Sequence, residues 1–488
     1  MVRGVPSAPL PAGSRSPSAR LRALSQRRAW LPLALLVLVS MLSLLARAAG
    51  LGEPCRGPCR SAADHVLIFD EAYYVNAARV IAGLGPPAGA PYAGAPAGVD
   101  PNSEHPQLAK LIIAGSIELL GDGPPAWRLG SLLAGSLAII GLFVLVRAAG
   151  GGRWLGLGAA SLMAADNLML VHGRIGTLDV YVLAAMIWAV ALYLRGRPVS
   201  SGVVLGLGAC VKLLAPYALL VLALIEALRW LKTRTRPSPA LPRARTLRPS
   251  LALPRTIPAS LTRLAACAVS AAGVLVALLA ILDRIAPPYD PSTHRRLAPG
   301  PFAHLAHMLS FAAHQTSPHG PRGIASYPWQ WLGDYKPIVY LYIDPTHPTR
   351  GLSGIHPAVH FLGLISPPIL LLAVPALVIA TRGIIRAGCV RAGRAGARGA
   401  SGRTGATSDE GDILTLAWFL GTFVPFELLS LFLSRTSYLY YMLLVMPGIY
   451  VGVAGLVARR PPARRLRGLW IGAVVVAVAL SYPFTPLP

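Results

Sequence analysis

A polytopic α-helical membrane protein is the fold class this sequence predicts, and three observations carry that reading. Of its 488 residues, 54% are hydrophobic and only 13% charged, with a mean hydropathy of +0.56. A soluble globule of this length is not so apolar. Uninterrupted apolar runs of membrane-crossing length recur along the chain. Finally, most of the 45 Lys and Arg fall in alternate connections, and most acids fall in the others. That is the positive-inside pattern, so the net charge of +26 marks membrane orientation and excludes a nucleic-acid partner.

Residues 1–29 are rich in Pro, Ser and Arg without apolar period, and read as a disordered cytoplasmic tail. The run from Trp30 to Ala49 is long enough to span and lacks a small-residue cleavage site, so it reads as a first span rather than a signal peptide. Further runs lie near 127–147, 154–171, 177–194, 201–213, 214–231, 263–283, 357–381, 412–433, 438–458 and 468–486, about eleven spans in all. The pair within 201–231 is read as two because Pro216 follows Lys212 and because a single span would invert every later connection. The membrane domain thus covers 30–486. It has cytoplasmic linkers at 233–262 and 383–411 and extracytoplasmic loops at 50–126 and 285–356. A multi-pass cell-membrane protein results, with a cytoplasmic N-terminus. No internal repeat is evident.

The cysteines form no framework. Cys210 and Cys267 lie in apolar spans and Cys389 in a basic connection; Cys55 and Cys59 flank Arg56-Gly-Pro, a spacing that admits a local disulfide.

Chemistry-bearing residues concentrate in the loop 50–126. Helical periodicity from Ile68 to Ile81 begins at Asp70-Glu71, where the helix dipole favours acids. That pair is either a helix cap or, beside Phe69, Tyr73 and Tyr74, a carboxylate held near apolar surface for work. A second short helix, Gln107 to Leu120, follows Glu104-His105-Pro106 and carries Lys110, either a snorkelling lysine or an anion ligand. Arg128, Asp166, Arg174, Asp179, Lys212 and Arg435 are ionisable residues in or at the ends of spans, where such groups face a cavity or a partner. Asp166, Arg174 and Asp179 surround one tight turn, which an Asp–Arg pair would close. Glu427 in a later apolar span has the same ambiguity. In the second loop, His304 to Phe311 reads as an amphipathic interfacial helix. Phosphate-loop, zincin and nucleophile-elbow motifs are absent, so nucleotide chemistry on the basic face has no candidate.

Taken together, Phe69-Asp70-Glu71-Ala-Tyr73-Tyr74, His105-Pro106-Gln-Leu-Ala-Lys110 and Trp127-Arg128-Leu129 resemble the opening of the protein O-mannosyltransferases, glycosyltransferase family 39. The resemblance continues through Asp166-Asn…Arg174…Asp179, Ser326-Tyr-Pro328-Trp329-Gln-Trp331 and Arg435-Thr-Ser-Tyr438-Leu-Tyr440-Tyr441 with Pro447. Gln107 and Ala109 depart from the family's usual Pro and Gly, and 285–356 lacks the large domain of eukaryotic members, as in bacterial relatives.

The resemblance implies a GT-C architecture and an inverting transfer of a sugar, typically mannose, from a polyprenyl phosphate to a Ser/Thr hydroxyl of a secreted protein. Asp70 would be the general base and Glu71 would orient it. Arg128, Arg174, Lys110 and Arg435 would bind the donor phosphate; Tyr73, Tyr74, Glu104, His105, Asp179, Trp329 and Trp331 would contact substrates. No cofactor is required on this reading. A divalent metal at Glu104/His105, suggested by related aminoarabinose transferases, would have too few ligands. Two alternatives stand beside it: transfer of another lipid-linked sugar to lipid or cell-wall glycan, and a transporter or flippase lined by buried charges.

Overall fold

A computed structural model describes residues 17–55, 60–234, 259–343, 358–393, 402–459 and 464–485. The fold is predominantly helical. Helix α1 (Pro17–Ala48) begins well before the first apolar run, so residues 17–29 of the expected disordered tail are helical; 1–16 lie outside the described residues. Arg and Ala are good helix formers, and composition alone does not separate a solvated helix from a linker. Next come two short helices, α2 (Glu71–Ile81) and α3 (Leu108–Leu120), before the apolar α4 (Pro124–Ala148). Gly150 at positive φ then turns the chain into α5 (Arg153–Ala164). The expected run 154–171 is broken at Asp166, whose carboxylate caps α6 (Asn167–His172) by accepting from Leu168 N–H.

Helices α7 (Asp179–Leu194), α8 (Pro198–Ala209) and α9 (Tyr217–Arg234) follow. The stretch 201–231 is therefore two helices, as Pro216 and the charge alternation required. The break is stabilised from outside, because the Cys210 carbonyl accepts from Leu108 N–H at the start of α3. Helix α10 (Ala259–Ile285) leads into a small antiparallel pair, β1 (Tyr289–Asp290) and β2 (Arg295–Arg296). The amphipathic α11 (Pro301–His314) follows, and then the one-turn α12 (Pro328–Trp331). A second pair, β3 (Ile338–Ile343) and β4 (Val359–Gly363), precedes α13 (Pro367–Leu370) and α14 (Ala373–Gly393). These short pairs are set into an otherwise helical fold, and β4 occupies the start of the run expected to span from 357. Last come α15 (Gly402–Leu433), α16 (Met442–Arg459) and α17 (Arg464–Ser481). Of the expected linkers, residues 235–258 and 394–401 lie outside the described residues, whereas α14 and α15 occupy most of 383–411.

Among the described residues, six helical segments are long and apolar enough to cross a membrane: Trp30–Ala48, Pro124–Ala148, Ala259–Ile285, Pro367–Arg386, Glu410–Leu433 and Leu439–Arg459. Helices α7 and α8 are apolar but shorter. The protein is a multi-pass membrane protein. Its core runs through α4, α5, α7 and α16, and an unforeseen arginine ties three elements there. Fully buried Arg47 of α1 donates to the carbonyls of Leu132 and Gly173 and to Ser136 Oγ, joining α1 to α4 and the end of α6. At the opposite, arginine-rich end, Arg459 of α16 grips the Asp412 carboxylate of α15 with both terminal nitrogens.

Candidate active site

The Asp70-Glu71 pair stands at the start of α2, and its two carboxylates part company. Phe69 has φ +55°, a left-handed conformation that a bulky residue rarely adopts. Aromatic packing holds it there: its ring stacks on Tyr340 at 4.2 Å and meets Tyr440 edge-on at 5.7 Å. Tyr340 falls at a register shift in the β3–β4 pair, and its hydroxyl bonds His172 Nε2 at 2.8 Å. After this turn Asp70 occupies the N-cap position, yet its side chain makes no cap bond. The cap reading is thus excluded for the carboxylate.

Glu71 turns into the protein and is fully buried. Its oxygens accept from Arg128 Nε and Nη2, both at 2.8 Å, from Ile68 N–H at 2.8 Å and from Gly176 N–H at 2.7 Å. Gly176 permits this approach, since a Cβ there would meet the Trp127 carbonyl at 2.9 Å. Arg128 spends its remaining donors on the carbonyls of Leu51, Glu53 and Val66. This is a closed buried ion pair tying α2 to α4 and the α6–α7 turn.

Asp70 instead lines a polar cavity of about 300 Å³ with Tyr73, Tyr74, Glu104, His105, Lys212 and Arg435; Asn102, Phe311, Gln315, Thr436, Tyr438, Tyr440 and Tyr441 complete the wall. Burial raises the Asp70 carboxyl to about 7; the Lys212 ammonium opposes the rise and Asp179 adds to it. Burial, reinforced by the cations of Lys212, Lys110 and Arg435, pushes His105 well below its ordinary value, so the imidazole is neutral. Burial also raises the Glu104 carboxyl. Lys212 projects from the α8–α9 break and donates one hydrogen bond, 2.8 Å, to Asp179 at the first turn of α7. It lies 5.4 Å and 5.6 Å from the ring centres of Tyr441 and Tyr440. Arg435 donates through Nη1 to the Ala312 carbonyl at the end of α11. Among the described residues, Asp70 has no hydrogen-bond partner, and Lys212 and Arg435 keep unused donors. Such open valences in a buried cavity await a ligand or water.

The polar cavity adjoins an apolar groove of about 580 Å³, lined by Leu213, Leu214, Tyr217, Met308, Leu309 and Phe426. Glu104, His105, Lys212, Phe311, Arg435 and Tyr441 line both. Helix α11 forms one wall. It is pinned by buried His304, whose ring nitrogens bond Asp283 Oδ1 at 2.7 Å and the Ser103 carbonyl at 3.0 Å. The amphipathic segment from His304 is therefore a groove wall rather than a free surface helix.

Several expected site residues lie elsewhere. Arg128 serves Glu71 rather than the cavity. Arg174 bonds the Ala49 carbonyl at 2.6 Å and sits over Phe484, Phe361 and Tyr482 at 4.8–5.8 Å. The Asp–Arg pair expected around the α6–α7 turn does not form: Asp166 caps α6 and Asp179 holds Lys212. Fully buried Lys110 fills its three donors with Asp100 Oδ2 (2.5 Å), Asn102 O (2.5 Å) and His105 O (2.8 Å). It shapes the loop that presents Glu104 and His105. Trp331 is buried among Phe423, Phe426 and Tyr441, donating to Ser326 Oγ, whereas Trp329 is half exposed and stacked on Tyr327 at 4.1 Å. No group of three or more His, Cys, Asp or Glu able to hold a metal occurs among the described residues.

Residues 104–240 match the family model of dolichyl-phosphate-mannose-protein mannosyltransferases. The resemblance to the protein O-mannosyltransferases holds. A polyprenol-phosphate-mannose–protein mannosyltransferase of Corynebacterium glutamicum is 28% identical over 170 residues, which cover 33% of this chain and 29% of the relative's length. Among solved structures, the protein O-mannosyltransferase Pmt1–Pmt2 complex of S. cerevisiae, bound to its sugar donor, aligns with a TM-score of 0.58 at 12% identity. The alignment covers 92% of this chain and 88% of that one, so the GT-C fold of the mannosyltransferases extends through nearly the whole chain.

Within this mannosyltransferase fold, Lys212 is the cavity residue that a role-by-role reading of the sequence passes over. Its signal was present: a lysine at the junction of two apolar runs, four residues before a proline. Tyr340 left no such signal, because it reaches Phe69 through a strand pair that hydropathy does not register.

Proposed function

We propose that the protein transfers a sugar, mannose by analogy with its relatives, from a polyprenyl phosphate to the hydroxyl of a Ser or Thr in a secreted protein. The observation that carries this reading is the union of an unpaired carboxylate and two incompletely bonded cations in one cavity that opens into an apolar groove. The groove suits a prenyl chain, and the cations suit its phosphate. Asp70, poised near neutrality, accepts the acceptor hydroxyl proton as that oxygen attacks the anomeric carbon. The bond from that carbon to the phosphate oxygen breaks, the configuration inverts, and the polyprenyl phosphate departs with the bonding electrons. Lys212 and Arg435 neutralise its growing charge in a site of low dielectric. The donor-phosphate role expected of Arg128, Arg174 and Lys110 passes to these two residues.

The alternation of basic loops supports a cytoplasmic N-terminus and cytoplasmic arginine-rich ends, with the cavity on the opposite side. Domain boundaries follow the same reading: one membrane domain, with the catalytic residues drawn from 50–126, the α8–α9 break and the start of the 434–441 segment. Metal is not required, since Glu104 and His105 offer two donors where a cation needs more. Transfer of labelled mannose from synthetic polyprenyl-phosphate mannose to an acceptor peptide tests the proposal, with Asp70→Asn as the decisive variant. Normal transfer by a folded Asp70→Asn protein overturns the base assignment, and wild-type protein that moves intact lipid without cleaving it favours the flippase alternative.

A further inference from the structure

The reactive carboxylate stands where a capping carboxylate ordinarily stands, and what keeps it from capping lies outside the cavity. The first four N–H groups of a helix need acceptors from beyond its own ladder, and an Asp side chain at the N-cap usually supplies one. In α2 the backbone has taken over that role. Glu71 N–H donates to Ile68 O at 3.1 Å, Ala72 N–H to Phe69 O at 3.2 Å, and Tyr73 and Tyr74 N–H to Asp70 O at 3.0 and 3.1 Å. Asp70 itself has helical angles, φ −67° and ψ −9°, not the extended ones from which a cap side chain reaches the second and third N–H groups. Both arrangements follow from the left-handed Phe69, which turns the chain into the helix one residue early.

Phe69 is held by Tyr340, and Tyr340 is itself fixed by α6 and β4. The two rings stack 21° from parallel. Gly363 of β4 leaves room for the tyrosine, since a Cβ there would run into its phenol. The Tyr340 hydroxyl is hydrogen-bonded to His172 Nε2 at 2.8 Å, and His172 Nδ1 to Thr177 Oγ1 at 3.3 Å. Asn167, at the other end of α6, fixes β4 by donating to the Leu362 and Leu364 carbonyls at 2.7 and 3.3 Å. His172, Thr177 and Tyr340 are buried, and neither Phe69 nor Tyr340 belongs to the cavity wall. The transfer chemistry gives this buried chain of Tyr, His and Thr nothing to do.

We infer that Tyr340, anchored by His172, is a positioning residue: by holding Phe69 left-handed it keeps the start of α2 capped by backbone and leaves the Asp70 carboxylate to the cavity. The inference rests on the transfer reading above for its kinetic readout. Tyr440 does not hold the turn by itself, because it meets Phe69 edge-on at 5.7 Å and leaves the stacked face open. With that face empty, a bulky residue sheds an unfavourable backbone conformation. The carbonyls of Ile68 and Phe69 then swing away from α2, and the Asp70 side chain takes the N–H groups of Ala72 and Tyr73.

Full-length protein in nanodiscs carries the test. Tyr340→Leu lowers kcat about ten- to a hundredfold, the population lost when that strain is no longer held, and leaves donor and peptide KM unchanged. Tyr340→Phe, which keeps the ring, restores most of the loss. Each factor of ten lost also moves the midpoint of kcat/KM against pH to acid by about one unit, since the same capped population removes the base from the cavity and holds it ionised. The charged groups facing Asp70 stay in place: Lys212 at the α8–α9 break, Asp179 of α7, Glu104 and His105 of the loop before α3, and Arg435. Phe69→Gly removes the need for a stack, so adding Tyr340→Leu to it costs less than about threefold in kcat. Should Tyr340→Leu not fold, Phe69→Leu empties the same stack from the other side and must give the same kcat loss and acid shift. A rise in either KM, an unmoved midpoint, or equal losses in both Phe69 backgrounds overturns the inference. A cryo-EM map of either leucine variant with Asp70 bonded to Ala72 or Tyr73 N–H, beside a wild type that transfers no sugar, leaves the positioning role standing and removes the transfer reading instead.

Discussion

Two clusters of buried charge lie back to back around the start of α2, and they differ in how fully their hydrogen bonds are spent. In the first, Glu71 takes four donors and Arg128 has every nitrogen engaged. In the second, Asp70 has no partner among the described residues and Lys212 uses one donor on Asp179. A saturated cluster resists change and holds elements together. An open one keeps a desolvated charge that only a ligand or water can complete. Burial alone does not distinguish them, since Glu71, Arg128 and Lys212 are all buried.

This contrast can be broken experimentally. The largest effect falls on Asp70→Asn, which should lower kcat by about 10²–10⁴ through loss of the base while leaving thermal unfolding in detergent nearly unchanged. Wild-type turnover would erase the distinction from one side. Glu71→Gln or Arg128→Met should do the reverse in kind, destabilising the protein by about 3–5 kcal/mol because one buried charge is stranded; an unfolding curve like that of the wild type would erase it from the other. For Arg435→Gln we expect donor KM to rise about tenfold, the worth of one charge-assisted bond to phosphate, with peptide KM and folding unaffected.

The pH profile sharpens the comparison further. Asp70 is raised to about 7, so its basic form is lost as pH falls through that value; kcat/KM should climb with pH below about 7 and level off above it. A profile that is flat from pH 5 to 9 would take the base role from this carboxylate. The smallest expected effect is that of a chelator: transfer measured in EDTA should match the untreated rate, and its loss would restore a metal at Glu104 and His105.

Much of the fold could be read from hydropathy and loop charge, because a membrane imposes both on the sequence. The division of 201–231 into two helices and the helical character of His304 to Phe311 followed from proline and from periodicity. The longer strand pair could not be read this way: the six residues of Ile, Val, Tyr and Leu in β3 look like the edge of a span, and their pairing with β4 is a tertiary fact. For the site, the loop 50–126 and the residues Asp70, Tyr73, Tyr74, Glu104, His105 and Arg435 were legible, since charge and aromatics so near apolar runs need a reason. Which cation faces which carboxylate was not. Arg128 and Arg174 have the residue type that phosphate prefers, but their orientation depends on carbonyls 62 or more positions away in the chain.

The left-handed turn at Phe69 gives the order of the two acidic letters a meaning of its own. Because that twist sends position 70 one way and position 71 the other, the dipeptide is not a pair of interchangeable acids but a directional signal. Exchanging them as D70E/E71D keeps charge and composition intact, yet it sets a short side chain where Arg128 needs a long reach and a long one where the cavity has a fixed depth. Loss of both folding and turnover from so conservative a swap would show that one backbone angle separates the architecture from the chemistry.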